Sequence, residues 1–174
     1  MRKTFLVAVL ALLLVSVPSS SKNRATATTD HQPAGVDHIV VLKSARIMKL
    51  YLGEKLVKEY KVALGGDPIG PKHQQGDRKT PEGSYTISGR NPQSQFHLSL
   101  RISYPSAQDR EWARQHNVNP GGDIMIHGLP PAFAYLGALH RQHDWTDGCI
   151  AVTNKEIEEI WTLVPVGTKI EIKP

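Results

Sequence analysis

Short apolar stretches, bounded by Gly, Pro and polar clusters, recur along this chain at strand length. In "DHIVVLKSARIMKLYL", Ile39–Leu42 reads as a strand and Ile47–Leu52 as its hairpin partner. Gly53–Lys55 reads as a turn, and "LVKEYKVALGG" as a third strand closed by Gly65 and Gly66. "SYTISGR", "FHLSLRISYP", "DIMIHG" and "GTKIEIKP" supply further strands. Two segments carry helical composition. "SAQDREWARQHN" starts at Ser106. "NKEIEEIWTLV" is the clearer one, with Asn154 as its expected N-cap, acids in the early turns, an apolar face of Ile157, Ile160 and Trp161, and Pro165 to end it. "LPPAFAYLGALHRQHD" reads as a loop or short helix. The long stretch "DPIGPKHQQGDRKTPEG", with three Pro and three Gly, reads as a loop of the kind that is usually functional or disordered. Within it Thr80-Pro81-Glu82-Gly83 is a turn that opens a strand, with a loop wall beside a site as the functional alternative. Many short strands with one or two helices define a mainly-β fold class.

The N-terminus departs from this pattern. A basic start (Met1–Lys3), an apolar run (Phe5–Val17) broken only by Ser16, and small residues (Pro18–Ser21) make a secretory signal peptide over residues 1–21. Cleavage falls near Ser21 or near Ala25–Ala27, no later than about residue 28. The run is short for a span of about 20 residues, so membrane attachment is expected only through an uncleaved leader. No cysteine follows the run, which excludes a lipoprotein anchor. Residues 22–36 are polar and aperiodic, a flexible linker. Residues 37–174 form one domain, large enough to bury a core without disulfides. The expected location is the periplasm or cell envelope.

Removing the leader changes the charge. Four of the 21 Lys and Arg residues lie in residues 1–28, leaving 17 against 16 acids. A domain so close to neutral gives no electrostatic reason to expect nucleic acid.

Cys149 is the single cysteine of the chain. In an exported protein an unpaired thiol is unusual. It is either a small core residue or a nucleophile, and "DGCIAV" alone does not choose between them. A thiol nucleophile needs a base, and His127 is the strongest candidate: it ends the short apolar run Ile124–Ile126, before Gly128, 22 residues ahead of Cys149. His143 is the rival, although Arg141, Asp144 and Trp145 around it suggest a polar rim. No Cys/His spacing suits a structural zinc, so neither metal nor other cofactor is expected. A thiol-redox protein would need a C-x-x-C pair, which is absent.

"MIHG" followed by "WTDGCIAVTN" resembles the signature of the L,D-transpeptidase catalytic domain, the YkuD family. "GDRKTPEGSYTI" is similar to the family's segment ahead of its active site, and "GPKHQQGDRKTPEG", "FHLSLRISYP" and "GGDIMIHG" together look closest to the YafK-type murein proteins. The resemblance covers roughly residues 37–174 and implies a β-sandwich of short mixed strands. It implies Cys149 as nucleophile, His127 as acid/base, Gly128 as the carbonyl that orients the histidine, and Gly148 with Cys149 as the turn whose N–H groups hold an oxyanion. Thr146 matches the family's Ser/Thr.

The implied activity is acyl transfer on peptidoglycan stem peptides through a thioester at Cys149. An amine acceptor gives cross-linking or protein attachment. Water gives a carboxypeptidase, or an enzyme that releases a wall-attached protein. The YafK-type group includes one that detaches a wall-bound lipoprotein, an expected partner on that reading. Arg141, Trp145, Tyr104 and Asp147 are candidate substrate-binding residues, each with a reading as rim or core packing beside it. One departure stands out: Asp147 occupies the position where the family usually has histidine, and the His-to-Cys interval is a few residues longer than usual. An acid there tends to raise the thiol pKa, so a partner is expected from Arg141, His143 or His127. A catalytically impaired wall-binding module is the alternative that Asp147 supports.

Overall fold

The computed structural model describes residues 35–174; the expected signal peptide and all but the last two residues of the expected linker lie outside the described residues. The strands are β1 (His38–Leu42), β2 (Ile47–Leu52), β3 (Lys55–Lys61), β4 (Gly83–Ser94), β5 (His97–Ile102), β6 (Met125–His127), β7 (Ile150–Ala151) and β8 (Lys169–Lys173). Two α-helices, α1 (Ala107–Gln115) and α2 (Asn154–Leu163), and a 3₁₀ segment (Pro131–Gln142) complete the fold. The mainly-β class expected from the pattern is what forms. The strands make one curled mixed sheet in the order β3-β2-β1-β8-β4-β5-β6-β7.

Alternation explains the first half. β1 and β2 bury every second residue, Ile39 and Val41 against Met48 and Leu50, and pair antiparallel. β8 buries Ile170 and Ile172 and runs parallel to β1, so the first and last strands are neighbours. β4 is long enough to serve two partners: Gly83–Thr86 pair with β8, and from Ile87 onward the strand pairs with β5. A register irregularity between Ile87 and Gly89 marks the change, as bulges do where a sheet turns. β6 then adds to β5, and β7 runs parallel to β6.

Both α-helices begin with a capping box, which satisfies N–H groups that a helix start leaves free. Ser106 and Asp109 start α1 as expected. For α2 the cap is Thr153 with Glu156, not Asn154, which is already helical. Thr153 precedes Glu156 by three residues, the spacing a capping box requires, and this frees the Asn154 amide. α2 presses Ile157 and Ile160, both fully buried, onto the face of β5 and β6. The segment between Leu129 and Asp144 is a 3₁₀ run broken at Gly137 (φ 48°, ψ −126°). The expected third strand is shorter than its apolar run. Ala63 and Gly65 leave β3 to bridge Ala151 and Thr146 near the cysteine.

The long loop is ordered by buried cations. Lys43, 2% exposed, directly follows β1 and donates to Gly70 O (2.6 Å), Thr80 O (2.9 Å) and Glu82 Oε1 (2.7 Å). Burial lowers its pKa, and Glu82 opposes that. Within the loop, Lys72 and Asp77 form a second buried pair at 2.7 Å. Asp77 also accepts from the N–H groups of His73, Gln74 and Lys79. Removing one partner of a buried pair strands the acceptors of the other. Lys43→Ala is therefore expected to lower unfolding free energy by about 3 kcal/mol, measured by urea denaturation. An equal loss for an exposed control such as Lys55→Ala would show that the clamp contributes nothing specific.

Candidate active site

His127 is the last residue of β6 and is 2% exposed. It sits between Ser99 of β5 and Ala151 of β7, and its carbonyl accepts from Val152 N. Cys149 precedes Ala151 by two residues, one strand period, so the parallel ladder that pairs Ala151 with His127 puts the thiol on the same face of the sheet as His127, one period back along it, level with Met125. The imidazole packs against Phe96 (ring centroids 4.4 Å apart) and edge-on to Trp145 (5.8 Å). Its Nδ1 lies 2.6 Å from Gly128 O. A carbonyl only accepts, so Nδ1 carries the proton and Nε2 is left with a lone pair.

The cysteine turn is braced from several sides. Thr146 Oγ1 donates to Cys149 O (2.8 Å) and accepts from Gly148 N (3.1 Å). The Thr146 backbone exchanges hydrogen bonds with Leu64 O and Gly66 N. Ala63 and Ala151 exchange a pair at 3.0 and 2.8 Å. Asp144 accepts from Leu64 N (2.8 Å) and takes both Nε and an Nη of Arg46 (2.9 and 2.7 Å). Gly148 adopts φ +124°, and a Cβ there would lie 2.5 Å from Lys79 O. Only glycine fits both demands.

Electrostatics leave the pair neutral at rest. Burial is the largest influence on the Cys149 thiol and pushes its pKa up; the Met125 N–H opposes this, while Asp147 and Asp123 add to it. Sγ lies 3.5 Å from Asp123 O. Burial likewise pushes the His127 imidazole down, against its hydrogen bond to Gly128. A thiol and a neutral imidazole suit proton transfer during attack rather than a preformed ion pair.

Two grooves adjoin the pair. One of about 570 Å³ is lined by Phe96, Leu129, Phe133, Leu139, His140 and Trp145, on the side of the imidazole. The other, of about 380 Å³, is polar and borders Asp123, the residue whose carbonyl meets the thiol; Lys72, Gln75, Gly121 and Asp147 line it too.

Several expected site residues have other positions. Tyr104 is buried, donates its hydroxyl to Pro120 O (2.8 Å) and packs on Tyr85, so it lines neither groove. Arg141 turns inward and pairs with Glu156, the capping-box acid of α2, because that carboxylate is the near anion on its side. Neither Arg141 nor His143 pairs with Asp147. Asp147 is 93% exposed, and its ion pair is with Arg78 of the long loop, at 3.9 Å. Gly148's N–H is held by Thr146, which leaves Cys149's own N–H as the donor of that turn. Trp145 does line the apolar groove, and His143 sits on its rim. The sequence did not mark Phe96, His140 or Arg78, and it marked Asn154 only as a helix cap. The partners of Phe96, Asn154 and Arg78 are distant in the chain, and no local pattern announces them. Among the described residues, no group of three or more His, Cys, Asp or Glu could hold a metal ion, and no helix is long and apolar enough to cross a membrane.

Residues 36–172 match the YkuD family, described as the L,D-transpeptidase catalytic domain; the chain belongs to this family. An Escherichia coli strain K12 relative, provisionally named L,D-transpeptidase YafK, is 32% identical over 133 residues, which cover 73% of this chain and 46% of that protein. This chain thus spans about half the length of that relative. The crystal structure of the helical cell shape determining protein Pgp2 from Campylobacter jejuni superimposes with TM-score 0.62 at 24% identity, covering 81% of this chain and 48% of that one. An L,D-transpeptidase from Mycobacterium smegmatis does so with TM-score 0.52 at 14% identity, covering 80% and 60%. These two superpositions establish the fold.

Asp147 acts on the thiol through an exposed, screened field. Asp147→Asn is expected to speed alkylation of Cys149 by about two- to threefold at low salt, and the gain should vanish near molar salt; iodoacetamide kinetics at pH 7.5 measure it. A slower rate would mean that the Arg78 pair holds the turn. His140, buried beside the apolar groove, has its pKa pushed down to about 4, first by burial and then by Arg141. The folded state therefore binds fewer protons than the unfolded one below the ordinary imidazole value of 6.5. Stability is complete above that value and falls as pH drops toward 4, by at most about 1.4 kcal/mol per pH unit for this group. Thermal melts across this window should show the decline, and His140→Gln should flatten it.

Proposed function

We propose that this protein is an exported cysteine acyltransferase or hydrolase of peptidoglycan stem peptides, working through a thioester on Cys149. The observation that carries the reading is the tautomer of His127. With Nδ1–H held by Gly128 O at 2.6 Å, Nε2 is the basic atom, on a strand laddered to the one that follows Cys149.

Cys149 Sγ attacks the carbonyl of the L-centre of the diamino acid, at its bond to D-alanine. The thiol proton passes to His127 Nε2. The tetrahedral oxyanion accepts from the Cys149 N–H. Collapse breaks the C–N bond, His127 returns the proton to the leaving amine, and D-alanine departs. An amine or water then attacks the thioester, giving up a proton to His127 as Sγ leaves. An amine on another stem makes a cross-link, an amine on a protein tethers it, and water trims the stem; where that carbonyl carries a protein in place of D-alanine, the protein's amine is the group that leaves as the thioester forms, and water then frees Cys149. The polar groove beside the thiol suits a charged stem peptide, and Trp145 and Asp147 are its candidate contacts on either side of the cysteine. An inactive wall-binding module would need Asp147 to disable the thiol. Its near-complete exposure and its turn toward Arg78 favour the active reading.

Incubation with purified muropeptides, followed by mass spectrometry, tests the reading. Loss of alanine with a new amide, loss with added water, or release of an attached peptide identifies the acceptor. Cys149→Ala and Cys149→Ser should each reduce turnover at least about 1,000-fold without changing the fold, since a hydroxyl is far harder to activate with the same base. His127→Ala should be nearly as damaging and His143→Ala mild. Near-normal turnover by Cys149→Ala would end the thioester proposal, and the reverse order of the two histidines would mean that His143 is the base. Osmotic-shock fractionation with the leader intact and deleted tests export.

A further inference from the structure

One peptide group in the site is held from both ends. The peptide joining Gly128 to Leu129 presents its carbonyl to His127 Nδ1 at 2.6 Å and its N–H to Asn154 Oδ1 at 2.6 Å. The donor at the second contact is a backbone N–H, so the atom of the Asn154 amide that faces it must be the oxygen. A peptide group is planar, and fixing the direction of its N–H fixes the direction of its C=O. The two bonds also polarise the group in the same sense: an acceptor on the N–H makes the carbonyl oxygen more negative.

We propose that Asn154 is a positioning residue for the acid/base step. Acting through the Gly128–Leu129 peptide, it aims and polarises the carbonyl that holds His127, and it touches neither substrate nor thiol. This rests on the reading of Cys149 and His127 as the reacting pair. As His127 takes the thiol proton on Nε2, the ring becomes a cation whose Nδ1–H still donates to Gly128 O. A more negative carbonyl favours that cation and so makes the imidazole a stronger base.

The surroundings fit such a role. A Cβ at Gly128 would lie 2.6 Å from Asn154 Oδ1 and 2.9 Å from Ile157 Cγ2. The absence of a side chain there is what lets the amide close on the next N–H. Asn154 is not occupied in starting α2, because Thr153 and Glu156 do that. It stands on the first turn of a helix anchored by Ile157 and Ile160, so its oxygen is carried by a rigid element rather than by a loop.

The test compares Asn154→Ala, Asn154→Asp and Thr153→Ala in the full chain. Two readouts need no muropeptide and so remain informative if the substrate reading fails: the titration of His127, followed by NMR with labelled histidine, and the pH dependence of Cys149 alkylation by iodoacetamide. Asn154→Ala is expected to lower the His127 pKa and slow alkylation at neutral pH by about tenfold, the scale of one hydrogen bond to a charged group. Asn154→Asp keeps an accepting oxygen and adds an anion, so it should raise the His127 pKa. Thr153→Ala should lower the melting temperature while leaving His127 titration unchanged. Opposite shifts for the two Asn154 variants with none for Thr153→Ala carry the proposal. An unshifted His127 in Asn154→Ala, or the same shift from Thr153→Ala, overturns it. If Asn154→Ala does not fold, Asn154→Asp decides alone, and an unmoved His127 pKa in that variant overturns the proposal.

Discussion

The ladder between β6 and β7 is two residues long, and the site depends on it. Two registered pairs, Ile126 with Ile150 and His127 with Ala151, join the histidine strand to the strand that follows the cysteine. Each backbone hydrogen bond contributes only about 1 kcal/mol net, too little to hold such a short element in place. The rest of the molecule supplies what is missing. Ala63 exchanges hydrogen bonds with Ala151, so β7 is held on both flanks rather than standing as a free edge. Thr146 ties the cysteine turn to itself, and Asp144 ties its approach to Leu64 and Arg46. Lys43 and Lys72 fix the long loop, and Lys79 in that loop presents the carbonyl against which Gly148 sits.

Desolvation outranks charge at this site. The acids near the thiol are exposed and look toward arginines, Asp147 toward Arg78 and Asp123 toward Arg101. The imidazole is covered by its strand neighbours, Phe96 and Trp145, and the thiol is half-buried against the Asp123 carbonyl. Two groups that are each costly to charge in a dry setting remain neutral until a substrate arrives to take up the electron pair. The histidine at the family position before Gly-Cys is therefore not required to set the resting state, which follows from burial in this chain.

Much of the fold was legible because period-2 alternation is a local signal. β1, β2, β8 and the start of α1 fall where Ile39–Leu42, Ile47–Leu52, "KIEIK" and Ser106 placed them. Cys149 and His127 stand out as candidates from residue chemistry and from the family pattern, and the structure pairs the histidine strand with the strand that follows the cysteine. The remainder depended on pairings across long separations, which no window of sequence encodes. Asp144 meets Arg46 98 positions away and Leu64 80 away. Arg141 looked free for a ligand carboxylate because Glu156 is close only after α2 folds against the 3₁₀ segment. Tyr104 looked like a groove residue because an aromatic beside Pro105 gives no sign of which side it faces. Asn154 looked like a cap because capping chemistry suits Asn and Thr alike, and the one-residue choice between them was made by the spacing to Glu156.

The parallel pairing of β1 with β8 has a consequence for how the domain comes into being. His38 lies opposite Lys169, so the centre of the sheet is closed by a strand that the ribosome makes last in this domain. Until β8 arrives, the β1–β2–β3 meander and the β4–β5–β6 half have no strand between them, and each exposes one apolar face. Contacts of this sequence separation form slowly and only once the whole chain is present. Closure of the sheet in this domain therefore follows synthesis of β8 instead of accompanying the synthesis of the strands that flank it.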